Sequence, residues 1–202
     1  MSYGRAHRRR FTLLAAPAAA VALALTLSAC SSDGQTGGGG DTNFVTGTGG
    51  IATAPKGERA DAPKLDGETL DGKKLDLADY KGKIIVLNAW GSWCAPCRLE
   101  SKYFTKVAKE TEGQGVQFVG VNTRDAERAQ AISFEKDFGV TYPSFYDRTG
   151  KLLLRFPKGT FKLQSIPSTV VIDRDGKLAA RFVGPLDDTN LHKMLDPLIA
   201  EK

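Results

Sequence analysis

The stretch WGSWCAPCRLE, Trp90 to Glu100, sets Cys94 and Cys97 three positions apart, directly after the apolar run KIIVLNAW (Lys83 to Trp90). That run is continuous enough to be a strand buried on both faces. Beyond the cysteines, Leu99, Tyr103, Phe104, Val107, Ala108 and Thr111 recur at helical spacing and predict one amphipathic helix. The pair therefore falls at a strand-to-helix junction. It could serve as a structural staple, as half of a metal site, or as a redox centre.

As a staple the pair is weak. It closes so short a loop that chain entropy gives only about 2 kcal/mol, against about 3 for a fifteen-residue loop. A structural zinc site lacks its second pair of ligands, because the third cysteine is Cys30 and the histidine beyond the leader is His192. His192 lies four residues from both Asp188 and Asp196 and belongs on a solvated helix face. The redox reading gives each neighbour a task. Helix N–H groups and the helix dipole favour a thiolate at Cys94, making it the nucleophile. Pro96 fits the first turn, where its missing N–H is not needed. Cys97, buried one turn along, can resolve a mixed disulfide, and Trp93 offers an apolar face beside an exposed Cys94 sulfur.

Outward from this centre, strands alternate with helices. KLDGETLDGKKLDL reads as a hairpin turning at Asp71 and Gly72, VQFVGVN (116 to 122) as a second buried strand, and AERAQAISFEKDFG (126 to 139) as a helix. STVVID (168 to 173) and LAARFVG (178 to 184) form two strands joined at RDGK. DDTNLHKMLDPLIAE closes as a helix capped by Asp187 or Asp188 and disturbed at Pro197. This order describes a small α/β sandwich.

The ends of the chain differ in character. RAHRRR runs into FTLLAAPAAAVALALTLSA and ends at LSAC, the n-region and h-region of an export signal. Leu27, Ser28, Ala29 and Cys30 resemble a bacterial lipobox, which implies lipidation of Cys30 and anchoring at the outer face of the cell membrane. A transmembrane helix is the alternative, and Pro17 with the small residues before Cys30 favours cleavage. The RRRF start also permits twin-arginine export. Residues 31 to 61, rich in Gly, Ser and Thr at first, are expected to be a flexible tether, with the folded domain at 62 to 202. Within the tether, GTGGIA (Gly47 to Ala52) matches a dinucleotide fingerprint in letters alone. Of the chain's net +5, four arginines precede residue 30, so the rest carries 24 basic against 23 acidic residues. With no basic stripe interleaved with aromatics, nucleic acid is not an expected partner.

LDGKKLDLADYKGKIIVLNAWGSWCAPCRLE and SIPSTVVIDRDGKL, with a helical insertion between them, resemble the thioredoxin-like family. Within it, they more closely resemble the membrane-tethered thiol-disulfide oxidoreductases of the TlpA and ResA type. The resemblance implies a thioredoxin-like α/β fold with an N-terminal β-hairpin and a helical insertion between the central strands. It implies that Cys94 and Cys97 cycle between dithiol and disulfide, and that Pro167, otherwise an ordinary loop proline, is a cis-proline facing them. Asn88 stands where thioredoxins keep a buried aspartate. Glu100 resembles an acid this branch retains, able if buried to take the Cys97 proton; otherwise it is a surface residue pairing with Arg98 or Lys102. Lys102 stands where the family often has proline, and PKGTFKLQS before Ile166 is longer than usual. The likeness further implies a reductase of disulfides in exported proteins such as apocytochrome c. Its electrons would come from a membrane thiol transporter, and it would need no cofactor and no metal.

Two rivals fit less well. A peroxiredoxin needs a threonine and a proline around a single peroxidatic cysteine, whereas Trp93 and Cys97 bracket Cys94. A thioredoxin-fold copper metallochaperone would use a histidine with its cysteines, and its known forms have three residues between the cysteines.

Overall fold

The computed structural model describes residues 42–162 and 164–201. The expected signal segment, Cys30 and residues 31–41 lie outside the described residues. Among those described, no helix is long and apolar enough to cross a membrane.

The strands are β1 (Val45–Thr46), β2 (Ala52–Thr53), β3 (Asp66–Glu68), β4 (Lys74–Asp76), β5 (Ile84–Trp90), β6 (Val116–Thr123), β7 (Ser144–Asp147), β8 (Ser168–Ile172) and β9 (Leu178–Val183). The helices are α1 (Ala95–Thr111), α2 (Arg128–Phe138) and α3 (Asp188–Ala200). Seven strands form one sheet in the order β1-β2-β9-β8-β5-β6-β7, and β3 and β4 pair separately as the expected hairpin. Gly72 takes the turn's positive φ of 82°. In the sheet, β5 pairs in parallel with β6 and antiparallel with β8.

β5 is buried along its whole length and alternates between two cores. Ile85, Leu87 and Ala89 face Leu65, Leu77, Phe145 and Phe156. Ile84 and Val86 face Phe104 and Val107 of α1 together with Leu191, Met194 and Leu195 of α3. Burial on both faces is why the run reads as continuous rather than alternating. The buried positions of α1 are Cys97, Glu100, Ser101, Phe104, Val107 and Thr111, which recur at the helical period. Leu99, expected on that face, points outward and is 68% exposed. α3 begins as the sequence indicates, with the Asp187 carboxylate accepting the Asn190 N–H at 2.8 Å.

The tether expectation is corrected for residues 42–61. This segment lies in the fold: β2 extends the sheet at β9, with Ala52 opposite Arg181 and Thr53 opposite Ala180. Phe44, Ile51, Ala52 and Ala54 are buried. GTGGIA forms a tight turn between β1 and β2, with Gly49 and Gly50 at φ of 80° and 83°, so its glycines serve backbone geometry and not a nucleotide. Arg59 ties the segment down further, reaching Asp173 at 2.9 Å and Glu201 at 2.6 Å. Composition averaged over the stretch conceals these few anchoring side chains. β7, at the other edge of the sheet, was not anticipated either.

Candidate active site

Cys94 and Cys97 are joined by a disulfide, with their Cα atoms 5.3 Å apart. Cys94 is the N-cap of α1, and its sulfur accepts the Cys97 N–H at 3.2 Å. Its own N–H donates to Gly91 O at 3.1 Å, and Pro96 occupies the first turn. The helix thus offers one of its unpaired N–H groups to sulfur. The Ile166–Pro167 peptide is cis, and Ile166 O lies 3.7 Å from the Cys94 sulfur. Cys94 is less open than the sequence suggests, 3% exposed against 1% for Cys97. Leu70, Trp90 and Phe134 pack around the pair, with Ile166 alongside.

The loop that presents the pair is held by Asp125, a residue sequence reasoning did not single out. Its buried carboxylate accepts the Ser92 N–H at 2.9 Å, the Ser92 hydroxyl at 2.5 Å and the Asn122 amide at 2.5 Å. These partners are 33 and 3 residues distant, so no periodic spacing marks the cluster. Gly91 is required by contact: a Cβ there would sit 2.7 Å from Trp93 Nε1 and 3.1 Å from Thr123 O. Trp93 is 52% exposed, and the Arg124 guanidinium stacks 4.7 Å from its ring centroid.

Glu100 is buried, and neither Arg98 nor Lys102 pairs with it. Arg98 lies over Phe134 and Phe138, and Lys102 over Tyr103. Glu100 accepts instead from the Asn88 amide at 2.9 Å and from the Leu186 N–H at 2.9 Å. Asn88 also donates to Thr169 Oγ1 at 3.2 Å. An amide at position 88 supplies a donor where an aspartate would set a second carboxylate against the first. Burial outweighs both hydrogen bonds, so the Glu100 carboxyl is pushed up to about 8. A cavity of about 10 Å³ between Asn88, Glu100, Ser101 and Tyr142 is about the size of one water. Glu135 on α2 is a second acid raised by burial, to about 6.

Glu100 has a consequence for stability. In the unfolded chain it ionises near 4.5, and in the fold it keeps its proton up to about 8. Its contribution is therefore full below about 4.5 and is lost as pH rises through about 8. Urea unfolding of the oxidised protein should show stability falling by roughly 3 to 5 kcal/mol across this window. Glu100→Gln should flatten the fall. Parallel profiles for the two proteins would show that the carboxyl does not ionise in the fold as described.

His192 hydrogen-bonds Asp196 on its own helix at 3.0 Å and Glu110 of α1 at 3.2 Å. Glu110 is 13 residues along α1 from Cys97, roughly 20 Å at the helical rise. His192 and the cysteines are thus too far apart to ligate one copper ion.

Residues 54–196 match the family described as Redoxin. The chain belongs to that family. It is 32% identical to the thiol-disulfide oxidoreductase ResA of Bacillus subtilis over 139 residues, covering 69% of this chain and 74% of ResA. Among solved structures, it is similar to a DsbF homologue from Corynebacterium diphtheriae, with 40% identity, a TM-score of 0.69, and 75% of this chain and 96% of that one covered. It is also similar to a secreted thiol-disulfide isomerase from Corynebacterium glutamicum, with 31% identity, a TM-score of 0.72, and coverage of 81% and 100%. The fold is thioredoxin-like, and this member of the Redoxin family is a thiol-disulfide oxidoreductase with protein disulfides as substrates.

Proposed function

We propose that this oxidoreductase works outside the cytoplasm, lipid-anchored through Cys30, as a reductase of disulfides in exported proteins, apocytochrome c among them. The observation that carries the proposal is the Cys94 sulfur at the N-terminus of α1, accepting the Cys97 N–H and lying beside Ile166 and cis-Pro167. That placement stabilises negative charge on Cys94 once the disulfide is reduced.

The Cys94 thiolate attacks one sulfur of the client disulfide, and the other client sulfur leaves as a thiolate and takes a proton. In the minor share of molecules whose Glu100 carboxyl is ionised at neutral pH, Cys97 gives its proton to Glu100 and attacks the Cys94 sulfur; the second client sulfur leaves as a thiolate and takes up the proton that Glu100 then releases. The client gains two electrons and two protons, and the Cys94–Cys97 disulfide re-forms. A membrane thiol transporter restores the dithiol. Pro167 shapes the face on which the client backbone lies, and Trp93, Pro96 and Asn88 support the cysteine pair and Glu100.

The secreted relative from Corynebacterium glutamicum and the LSAC ending support export and anchoring. The pairing of Cys94 with Cys97 gives no support to peroxide chemistry at a lone cysteine.

Direction is tested by equilibrating the soluble domain, residues 42 to 202, in glutathione and dithiothreitol redox buffers. A reductase is expected to have a midpoint of about −200 mV or lower. A midpoint near −120 mV, typical of a strong oxidant, would reverse the assigned direction.

A further inference from the structure

Around Cys94, two arginines stand without a carboxylate partner. Arg124 lies over the exposed Trp93, the residue before Cys94. Arg98, on the first turns of α1, donates to Ser92 O at 3.4 Å and lies 5.7 and 5.1 Å from the ring centroids of Phe134 and Phe138. Both are exposed. Of the other arginines of the described residues, Arg59 is neutralised by Asp173 and Glu201, Arg128 by Glu68 and Arg155 by Asp66, while Arg174 and Arg181 donate to backbone carbonyls away from the cysteines. Arg98 and Arg124 are instead positioned by rings and a carbonyl, which leaves N–H groups for an incoming ligand.

The nearby acids do not offset them. The Asp125 carboxylate is buried and taken up by Ser92 and Asn122. Glu68 is held by Arg128, and Glu100 is buried and mostly protonated at neutral pH. Glu127, three residues beyond Arg124, is exposed at the N-cap of α2 and forms no ion pair with either arginine. Of the loop before Pro167, Ile166 is the residue that packs against the pair, and it brings no charge. The edge beside Cys94 formed by Trp93, Arg98 and Arg124 is therefore cationic, although the chain beyond its leader is close to neutral.

We infer that the rim of Trp93, Arg98 and Arg124 docks a client segment that carries aspartate or glutamate within a few residues of its disulfide cysteine. A guanidinium fork matches a carboxylate in two parallel hydrogen bonds, and the Trp93 face covers an apolar neighbour. Because both arginines are exposed, each pair is weak and acts mainly on encounter rate, with a strong dependence on salt. The inference rests on Cys94 being the attacking sulfur.

The test uses reduced, desalted protein and two synthetic peptides with the same internal Cys-x-x-Cys disulfide, one flanked by glutamates and one by lysines. The second-order rate of protein oxidation is followed by tryptophan fluorescence. At an ionic strength of ~0.01 M the acidic peptide should react roughly tenfold faster, and the preference should nearly vanish at ~1 M. Replacing both arginines (Arg98→Gln with Arg124→Gln) should bring the ratio of the two rates close to one. Replacing both by lysine should keep it, which packing alone would not explain. Equal rates in the wild type, a preference insensitive to salt, or a preference that survives Arg98→Gln with Arg124→Gln would overturn the inference. Uncharged hydroxyethyl disulfide separates the two levels: if wild-type protein fails to reduce it, the exchange reading itself is at fault, and not the rim.

Discussion

Arg59→Ala is expected to destabilise the protein by about 3 kcal/mol, the low end of the cost of breaking a buried ion pair by removing one partner. The Arg59 side chain is 5% exposed and that of Asp173 7%. The guanidinium also bonds both Glu201 oxygens, at 2.7 and 2.6 Å, and Ala54 O at 3.1 Å. Truncation leaves a buried carboxylate without its counter-charge and frees both the segment before Ala62 and the end of α3. The low end applies because Asp173 still accepts the Asp175 and Lys177 N–H groups at 2.9 Å each. With a urea m-value of about 1–3 kcal/mol/M, the midpoint should fall by about 1 M or more. A loss below about 0.5 kcal/mol, within the range of ordinary surface substitutions, would mean that residues 42–61 behave as a tether in solution.

That same segment marks the limit of what the sequence discloses. β5 and α1 were legible because each carries its signal locally, a continuous apolar run and a helical period that meet at the cysteines. The β8–β9 hairpin was legible from its RDGK turn. β1 and β2 were not, since strands of two residues have no period, and the pairing of β2 with β9 joins positions more than 120 residues apart. β7 is nearly as short, and Gly120 of its neighbour β6 gives no hint that a Cβ there would sit 2.1 Å from Ser144 Oγ.

The site divides in the same way. Cys94, Cys97 and Pro96 are placed by spacing, and the cis bond at Pro167 came from family resemblance. Glu100 was visible as an acid one turn beyond Cys97. Its partners are the Leu186 N–H, 86 residues away, and Asn88 on β5, 12 residues before it. Asp125 and the stacking of Arg124 on Trp93 arise where a loop folds back on the cysteine loop, a proximity that no local pattern encodes.

The assignment of Cys94 as nucleophile and Cys97 as resolver is tested most directly by trapping. Cys97→Ala removes the thiol that releases a mixed disulfide, so Cys94 should remain joined to its client. Cys94→Ala should trap little, because Cys97 is 1% exposed beneath the first turn of α1 and the Ile166 loop. Both variants are expressed as full-length protein, quenched in acid, separated without reductant and identified by mass spectrometry. The account predicts a covalent client on Cys97→Ala that is lost on reduction, at least tenfold more abundant than on Cys94→Ala. Equal trapping by the two variants, or a client held only through Cys97, would contradict it.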